Sequence, residues 1–527
     1  MVPGLAPLSL LDQNGGMTKP QTFDPRRLAT LVSCDGPRER NDVRSPLDHA
    51  VIGTVPIATP EDVDRVVSTA RTAQKSWART PLSSRCRVAS RFRDLVLDEA
   101  EGLLELIHIE NGKSRINAFE ELLDTALTTA YYSRTAPRHL ADHRRRGAIP
   151  LLTSTYETRQ PKGVVGIISP WNYPLTLAVS DAIPALLAGN AVVLKPDSAT
   201  PFTALAALSL LIRAGLPHNV MQIVTGPGSQ LGTPLIDAVD YMMFTGSGAT
   251  GRSVAAQCGE RLVGSSMELG GKNPLLVLAD ADLERTVEGA VQACFSTTGQ
   301  LCVSIERIYV HHNLYDAFCG RFAERVKKLR LGTGNNWEVD LGPLASQAQL
   351  DKVSRHVDDA VSHGAAVVAG GKARPDLGPL FYEPTVLTGV TEDMVCHREE
   401  TFGPVVSVYE VQSDAEAIEQ ANDTPYGLNA SVWSRSIPHA KAVARGLRAG
   451  TVNINEGYAA SWGSHDAPMG GMGISGLGRR HGRDGIVKYT EPQTIAAQRL
   501  LLIGPPPGVT RRTYSRVMTM AGRLLWK

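Results

Sequence analysis

Short apolar runs alternate with helical stretches after residue 161, and this alternation is the strongest constraint on the fold. Strand–helix–strand units favour a parallel sheet with helices on its faces. The pattern resumes after residue 270 and continues over 311–370 and 404–450, so we predict two α/β domains. Residues 60–140 are helical in pattern. The first predicted strands are Val164–Ile168, Ala191–Leu194, Met221–Val224 and Tyr241–Phe244, with a helix over Ala178–Leu187.

Composition excludes several classes of protein. The 527 residues carry 54 Lys and Arg against 53 Asp and Glu, so bulk positive charge cannot hold nucleic acid. No run of about 18 apolar residues occurs, so we expect nothing to span a membrane. The seven cysteines form no CxxC pair and no zinc spacing with histidine. We therefore expect no metal site and a reduced, cytoplasmic compartment.

A glycine-rich loop follows the fourth predicted strand. Gly246-Ser247-Gly248-Ala249-Thr250-Gly251 matches GxGxxG between a strand and a helix. Glycines there let the backbone approach a pyrophosphate, whose charge the helix N-terminus favours. The alternative is an ordinary glycine-rich turn, but the strand–loop–helix context favours a dinucleotide site.

Three further residues have the chemistry of a catalytic site. Cys302 follows a turn at Gly299, where a thiolate can be exposed, although a lone cysteine is most often a buried apolar residue. Glu268 lies between apolar residues, so desolvation can make it a general base unless a helix cap or ion pair holds it. Asn172 follows the first strand, where its amide either binds a ligand or serves a turn.

Six motifs occur in a fixed order along the chain: Pro170-Trp171-Asn172-Tyr173-Pro174, Leu194-Lys195-Pro196, Phe244-Thr245-Gly246-Ser247, Glu268-Leu269-Gly270-Gly271-Lys272, Gly299-Gln300-Leu301-Cys302 and Glu400-Thr401-Phe402-Gly403-Pro404. The set resembles the aldehyde dehydrogenase superfamily over roughly residues 45–495. This resemblance implies two Rossmann-like α/β domains and a small β ribbon for oligomerisation.

The resemblance also implies roles for these residues. Cys302 would attack an aldehyde to give a thiohemiacetal, with the Asn172 amide and the Cys302 backbone N–H as oxyanion hole. Glu268 would activate the water that hydrolyses the resulting thioester. The cofactor, NADP or NAD, would be bound by Trp171, Lys195, Ser198, Gly228, Gly246, Ser247, Gly251, Leu269, Glu400 and Phe402.

The choice of cofactor depends on Lys195-Pro196-Asp197-Ser198. Relatives that prefer NAD often carry Glu at the position of Ser198, where it repels a 2′-phosphate. A serine beside Lys195 accepts that phosphate, so we favour NADP. The Asp197 side chain would partly restore the repulsion.

The favoured substrate is succinic semialdehyde, because residues 161–169, 469–476 and 478–482 are most similar to succinate-semialdehyde dehydrogenases of the actinobacterial type. However, the two arginines that bind the far carboxylate in well-known members are replaced by Ser180 and Ser296. Other candidates for that task are Arg307, Arg479, Arg480 and His465, each of which more simply serves the surface or an ion pair.

An alternative substrate class follows from three aromatic residues. Tyr173, Tyr458 and Trp462 would line an apolar tunnel suited to aromatic or aliphatic aldehydes, unless they belong to the core. Two other functions also remain open. A thiol hydrolase or acyltransferase would use Cys302 without hydride transfer and would not need Glu400. A non-catalytic protein derived from this fold would not need the full set of motifs.

Motifs and resemblance together predict a homodimer or homotetramer. By the resemblance, Ser154–Arg159 pairs across a dimer with a strand near Thr490–Ala497. The predicted parts are a flexible arm (1–25), a cofactor-binding domain (26–135 and 161–270), a catalytic domain (271–465), an oligomerisation ribbon (136–160 and 485–500) and a basic amphipathic tail (501–527).

The predicted tail carries only basic charges, with Val517, Met520, Ala521 and Leu524 at helical spacing. Such a helix either docks on its own oligomer, which we favour here, or lies on an anionic membrane. At the other end of the chain, Met17 is an alternative start.

Overall fold

The computed structural model describes residues 23–149, 152–498 and 504–525. Residues 1–22 of the predicted flexible arm, which include Met17, lie outside the described residues. At the end of the arm, Asp24 caps a short helix, Pro25–Leu28, by accepting a hydrogen bond from the Arg26 N–H at 2.9 Å.

Six strands form the first sheet, which is parallel apart from one edge strand. Alternation of strands and helices predicts such a sheet, and the four predicted strands differ from the observed ones by at most one residue at an end. The order across the sheet is Gly476–Leu477, Gly264–Glu268, Tyr241–Thr245, Val164–Ile168, Ala191–Lys195, Met221–Ile223.

Helices pack on both faces of this sheet. Val165 and Val192 belong to one apolar core while Val164 and Val193 belong to another, because successive residues of a strand point to opposite faces. Thr59 and Asp62 cap the first long helix reciprocally, as its sequence indicates. The long helices here are Pro60–Arg79, Leu82–Asp98, Ala100–Asn111, Arg115–His139, Pro201–Arg213, Gly228–Ala238 and Gly248–Glu260.

The predicted single helix over Ala178–Leu187 is wrong. Two short helices, Thr176–Val179 and Ala182–Leu187, are present instead. Pro184 has no N–H to donate to the carbonyl of Ser180, so the helical hydrogen-bond ladder is interrupted at that point.

Seven strands between Asn273 and Ile454 form the second sheet, which is parallel except for the edge strand Ala366–Ala369. Its order is Ala366–Ala369, Thr385–Thr388, Val405–Val411, Ile305–His311, Asn273–Val277, Asn429–Trp433, Thr451–Ile454. The helices of this part are Leu283–Phe295, Tyr315–Val326, Gln347–Ser362, Val395–Arg398, Asp414–Asn422, Ile437–Ala444 and Ala459–Trp462. The short helix Asp484–Val487 packs instead in the core of the first sheet, to which Ile486 belongs.

The structure contains a three-stranded ribbon whose strands pair within one chain, so the predicted pairing of these segments across a dimer is wrong. Thr490–Gln498 pairs antiparallel with Thr153–Pro161 of the same chain, and His143–Arg145 pairs with the other edge of Thr153–Pro161. The buried Tyr489 explains this pairing, because its carbonyl accepts hydrogen bonds from Lys162 N at 3.3 Å and from the Asn190 amide at 3.0 Å. These contacts therefore hold Thr490, the first residue of its strand, beside Pro161.

Two smaller elements complete the described chain. A hairpin joins Arg40–Arg44 to Val51–Pro56, and the predicted tail contains the helix Arg511–Leu525. Within the described ranges, no helix combines the length and the apolar character needed to cross a membrane.

Asp181 ties the segment before the ribbon to the first sheet. Its buried carboxylate accepts hydrogen bonds from Arg480 Nε at 2.8 Å, Lys488 Nζ at 3.0 Å and the Tyr489 hydroxyl at 2.9 Å. Burial opposes ionisation, but Arg480 and Lys488 outweigh it and hold the pKa of Asp181 well below its usual value.

Replacing Asp181→Asn should lower the free energy of unfolding by about 3 to 5 kcal/mol, because Arg480 and Lys488 then lose the partner of their buried charges. Since the folded-state pKa is depressed, the contribution is present at neutral pH and decreases as the pH falls below about 4. Urea unfolding followed by circular dichroism measures it. The control is Asp42→Asn, whose exposed pair with Arg44 contributes less than about 1 kcal/mol. Equal unfolding midpoints for the two variants would contradict the role of Asp181.

Candidate active site

A cavity of about 200 Å³ lies where the carboxyl ends of the first sheet meet the turn before Cys302. Its walls bring together Asn172, Glu268 and Cys302, the three residues predicted to be catalytic. Six of the ten predicted cofactor ligands also line it: Trp171, Gly246, Ser247, Leu269, Glu400 and Phe402.

The turn that precedes Cys302 has a left-handed backbone. Thr297, Thr298 and Gly299 have φ values of 53°, 56° and 69°. Such angles strain a β-branched residue, so the surroundings must hold the turn. Asn117 Oδ1 accepts the Thr297 N–H at 2.9 Å, and a Cβ at Gly299 would collide with the carbonyl of Gly403. The turn is therefore built for one conformation, which places Cys302 at the cavity.

Two asparagine amides fix the backbone around the thiol. Asn273 Nδ2 donates to the carbonyl oxygens of Cys302 and Ser304, both at 2.7 Å. Asn172 Nδ2 donates to the Gln300 carbonyl at 3.0 Å. An amide nitrogen carries two hydrogens, so Asn172 can also donate to an oxygen bound near Cys302.

Burial dominates the protonation of both reactive groups. It raises the pKa of the Cys302 thiol to about 12, because the opposing attraction of Arg480 is smaller and the charge of Glu268 adds to the rise. Burial likewise raises the pKa of Glu268 to about 7, although the positive charges of Arg480 and Lys488 act to lower it. Glu268 Oε1 makes no hydrogen bond to any described residue. Glu268 is thus a desolvated carboxyl poised to exchange a proton near neutral pH.

A buried ion pair that the sequence did not reveal holds the loop of Glu400. Lys272 Nζ lies 2.5 Å from Glu306 Oε2. The Glu306 carboxylate also accepts the N–H groups of Thr401 and Phe402 at 2.9 Å. The adjacent charged residues Glu306 and Arg307 inside the buried strand Ile305–His311 were the available signal for this role.

Glu400 and Phe402 face the cavity from this loop. Glu400 Oε1 accepts the Gly271 N–H at 2.8 Å, and a Cβ at Gly270 would collide with the carboxylate. Burial raises the pKa of Glu400 to about 7. The Phe402 ring packs edge-on against Trp171 with centroids 5.6 Å apart.

The glycine-rich loop begins the helix Gly248–Glu260. Ser247 is the N-cap and accepts the Thr250 N–H at 3.3 Å, and the space in front of Gly248 is open. Gly251 does not line the cavity. A Cβ there would collide with Leu269, so Gly251 allows Leu269 to pack against the helix.

Lys195, Ser198 and Gly228 form a second group outside this cavity. Ser198 Oγ donates to the Gly226 carbonyl at 3.0 Å, which joins the loops after two neighbouring strands. Lys195 is buried beside Gly228 and donates to the Pro196 carbonyl at 3.0 Å. Burial lowers the pKa of Lys195, against the charge of Asp197.

The arginine candidates for a substrate carboxylate have other partners. Arg307 is fully buried and donates to the carbonyls of Lys272 and Ala421 among others. Arg480 donates to Asp181 and to the Thr245 hydroxyl. Arg479 donates to the carbonyls of Gly471 and Gly478. All three therefore support the fold in this structure.

A second cavity, of about 250 Å³, has Tyr173, Tyr458 and Trp462 in its walls. Cys302 packs against the apolar cluster that contains these rings, so it lies between the two cavities. The charged and polar groups of the second cavity are Glu120, Asp124, Gln292 and His465.

Asp124, His465 and His481 bring donor atoms within 4.8 Å of one another. His465 Nε2 lies 3.1 Å from Asp124 Oδ1, and burial lowers the pKa of His481 to about 4. Two imidazoles and a carboxylate are ligands that a divalent transition metal accepts. The spacing of residues in the sequence gave no sign of this cluster.

The charge of Glu268 should slow alkylation of Cys302 in a pH-dependent way. At about pH 5 Glu268 is protonated, so wild type and Glu268→Gln should react with iodoacetamide equally. At about pH 8.5 the variant should react roughly three- to tenfold faster, the effect of removing one nearby like charge from a thiol. Peptide mass spectrometry measures the rate, with Cys34 and Cys319 as internal controls. A slower variant at high pH would instead make Glu268 the group that deprotonates the thiol.

Known proteins resemble this chain in sequence and in fold. The sequence profile of the Aldehyde dehydrogenase family matches residues 32–495. A protein of Mycolicibacterium smegmatis, named a putative NADP+ succinate-semialdehyde dehydrogenase, is 51% identical over 513 residues, which cover 97% of this chain and 99% of that protein. The NADP+ succinate-semialdehyde dehydrogenase of Escherichia coli K12 is 36% identical over 463 residues, covering 86% and 93%.

A solved structure shows the same fold. The betaine aldehyde dehydrogenase of Staphylococcus aureus, in complex with NAD+, superposes with a TM-score of 0.85 at 32% identity, covering 91% of this chain and 99% of that one. The profile match and these identities, together with the six ordered motifs, lead to one conclusion: the chain belongs to the aldehyde dehydrogenase family.

Proposed function

We propose that this chain oxidises an aldehyde to a carboxylate with NADP+ as the favoured cofactor. The observation that carries the proposal is the position of Cys302, which lies between a cavity lined by predicted cofactor ligands and a second cavity with aromatic walls. A thiol in that position can bind an aldehyde carbon from one side and present it to a cofactor on the other.

The residues of the first cavity suit a nicotinamide cofactor. The open N-terminus of Gly248–Glu260 with its Ser247 cap suits a pyrophosphate. Glu400 and Phe402 would hold the nicotinamide end, and Lys195 and Ser198 the adenosine end. Gly270 leaves room for the Glu400 carboxylate, which a side chain would displace. When bound, the cofactor accepts a hydride.

Cys302 begins the chemistry as the nucleophile. As the sulfur attacks the carbonyl carbon, the thiol proton passes to solvent and the carbonyl π electrons move to oxygen, which gives a thiohemiacetal anion. The Asn172 amide and the Cys302 backbone N–H would stabilise the oxyanion. Loss of hydride from that carbon leaves a thioester on Cys302.

Glu268 completes the reaction as general base. Its carboxyl, with a pKa of about 7, takes a proton from water as the water attacks the thioester. The acid product leaves and the Cys302 thiol is restored.

Succinic semialdehyde is the proposed substrate, and the names of the two relatives support it. The second cavity supports another candidate class, because its walls contain three aromatic rings and Leu123 and Leu127, and the arginine candidates have other partners. Neutral aromatic or aliphatic aldehydes are therefore the second candidate.

A homodimer or homotetramer and a reducing compartment such as the cytoplasm complete the proposal. The outer edge of Thr490–Gln498 has no partner strand among the described residues, and an exposed edge of this length favours pairing with another chain. The seven cysteines are all free thiols, which fits a reducing environment.

Steady-state oxidation with NADP+ should separate the two substrate classes. Succinic semialdehyde is compared with butanal, which has the same chain length without the carboxylate, and with benzaldehyde. A higher kcat/KM for the semialdehyde supports the first class, and a higher value for butanal or benzaldehyde supports the second. Cys302→Ala is the control, and turnover in that variant would contradict the proposed mechanism.

Glu268→Gln should oxidise the first substrate molecule at nearly the wild-type rate and then slow about 100-fold, because thioester hydrolysis loses its base. Stopped-flow absorbance of the reduced cofactor should show a burst close to one equivalent per active site. A first turnover slowed as much as the steady state would place Glu268 in an earlier step.

Ser198→Glu should lower kcat/KM for NADP+ about 100-fold while leaving that for NAD+ nearly unchanged, because a carboxylate repels the 2′-phosphate. Ser198→Gln is the neutral control of similar size. If both variants changed the ratio of the two cofactors equally, the effect would be steric and the charge argument would be wrong.

A further inference from the structure

The helix Arg511–Leu525 separates its charged and apolar side chains onto opposite faces. Thr510 begins it by accepting the Thr513 N–H at 3.2 Å. With 3.6 residues per turn, Arg512, Arg516, Thr519 and Arg523 lie on one face. The opposite face carries Tyr514, Val517, Met518 and Ala521, with Met520 at its border beside Arg516 and Arg511 at its other border beside Met518.

The apolar face is exposed. Val517, Met518 and Met520 are 54%, 42% and 65% exposed. Among the described residues, no ion pair or side-chain hydrogen bond joins this helix to the rest of the chain. A contiguous apolar face that protrudes in this way marks an interaction surface.

Charge indicates what covers that face. Arg511, Arg512, Arg516 and Arg523 are the charged residues of 504–525, which contains no Asp or Glu. A chain whose net charge is +1 has therefore concentrated cations on one helix. A high apolar moment combined with an all-cationic polar face is typical of helices that lie in the interface of an anionic bilayer.

We propose that Arg511–Leu525 binds an anionic lipid surface and holds the enzyme at a membrane as a peripheral protein. The apolar face would enter the boundary between headgroups and acyl chains, and the arginines would bind lipid phosphates. The sequence analysis favoured docking of this helix on its own oligomer. We now favour the membrane, because docking on the oligomer does not explain why the segment contains no Asp or Glu. The proposal does not depend on the aldehyde chemistry.

Flotation of the full-length protein with lipid vesicles tests the proposal. Wild type should float with vesicles of phosphatidylglycerol and phosphatidylcholine, and binding should fall with added salt. It should not float with phosphatidylcholine alone. Equal binding to both vesicle types, or binding to neither, would overturn the proposal.

Matched double variants test the two faces separately. Val517→Gln with Met520→Gln removes apolar contact and should weaken binding about tenfold or more. Ser515→Gln with Thr519→Gln introduces the same residues on the polar face and should bind like wild type. Arg512→Gln with Arg516→Gln should weaken binding roughly tenfold, since each arginine near a charged surface contributes. Equal loss in the first two variants would contradict the assigned faces.

Measuring the oligomeric state tests the alternative that a second copy of the chain covers the helix. Light scattering after size exclusion should give the same mass for wild type and all three variants. A smaller assembly in the apolar-face variant, with no vesicle binding by wild type, would show that a second copy covers the helix. Aldehyde oxidation in solution is measured in parallel, and it should be unchanged in every variant, so a failure of the catalytic proposal is seen separately.

Discussion

The left-handed turn Thr297–Gly299 is the constraint on which the site depends. Two threonines and a glycine adopt positive φ there because Asn117 accepts the Thr297 N–H and the backbone at Gly403 leaves no room for a side chain at Gly299. The turn connects a helix of the second sheet's layer to the thiol. Any other path would move Cys302 away from Asn172 and Glu268, which come from the first sheet.

Buried charges are arranged so that structural pairs are satisfied and reactive groups are not. Lys272 with Glu306, and Asp181 with Arg480 and Lys488, are closed networks with short contacts. In contrast, Glu268 Oε1 makes no hydrogen bond to any residue that the structure describes, and burial raises the pKa of Glu268 to about 7. A desolvated carboxyl close to the half-buried thiol of Cys302 is costly for folding, so its presence is best explained by chemistry.

Local patterns in the sequence predicted much of the fold. Alternating apolar runs located four of the six strands of the first sheet to within one residue, and the six motifs contain most of the residues that line the cavity. Long-range pairs could not be predicted. The charge of Glu306 in a buried strand indicates a structural role, but the sequence does not show that its partners are Thr401 and Phe402. Likewise, nothing near Asp124 shows that His465 and His481 lie beside it.

Long-range contacts, which a sequence does not reveal, also explain the ribbon pairing and the partners of the arginine candidates. The ribbon pairs within one chain because the contacts of Tyr489 with Lys162 and Asn190 bring Thr490 beside Pro161, and those contacts join distant residues. Arg307, Arg479 and Arg480 were candidates for a substrate carboxylate, with a surface or ion-pair role as the simpler interpretation, because a sequence does not reveal the carbonyls and carboxylates that bind them.

The central claim is that aldehyde oxidation passes through an acyl group on Cys302. Glu268→Gln protein would be mixed with aldehyde and NADP+, quenched in acid and digested, and the Cys302 peptide weighed by mass spectrometry. The account predicts the mass of the acyl group on Cys302, present only when both aldehyde and cofactor are added. An unmodified Cys302 peptide alongside reduced cofactor, or an acyl group on another residue, would contradict it.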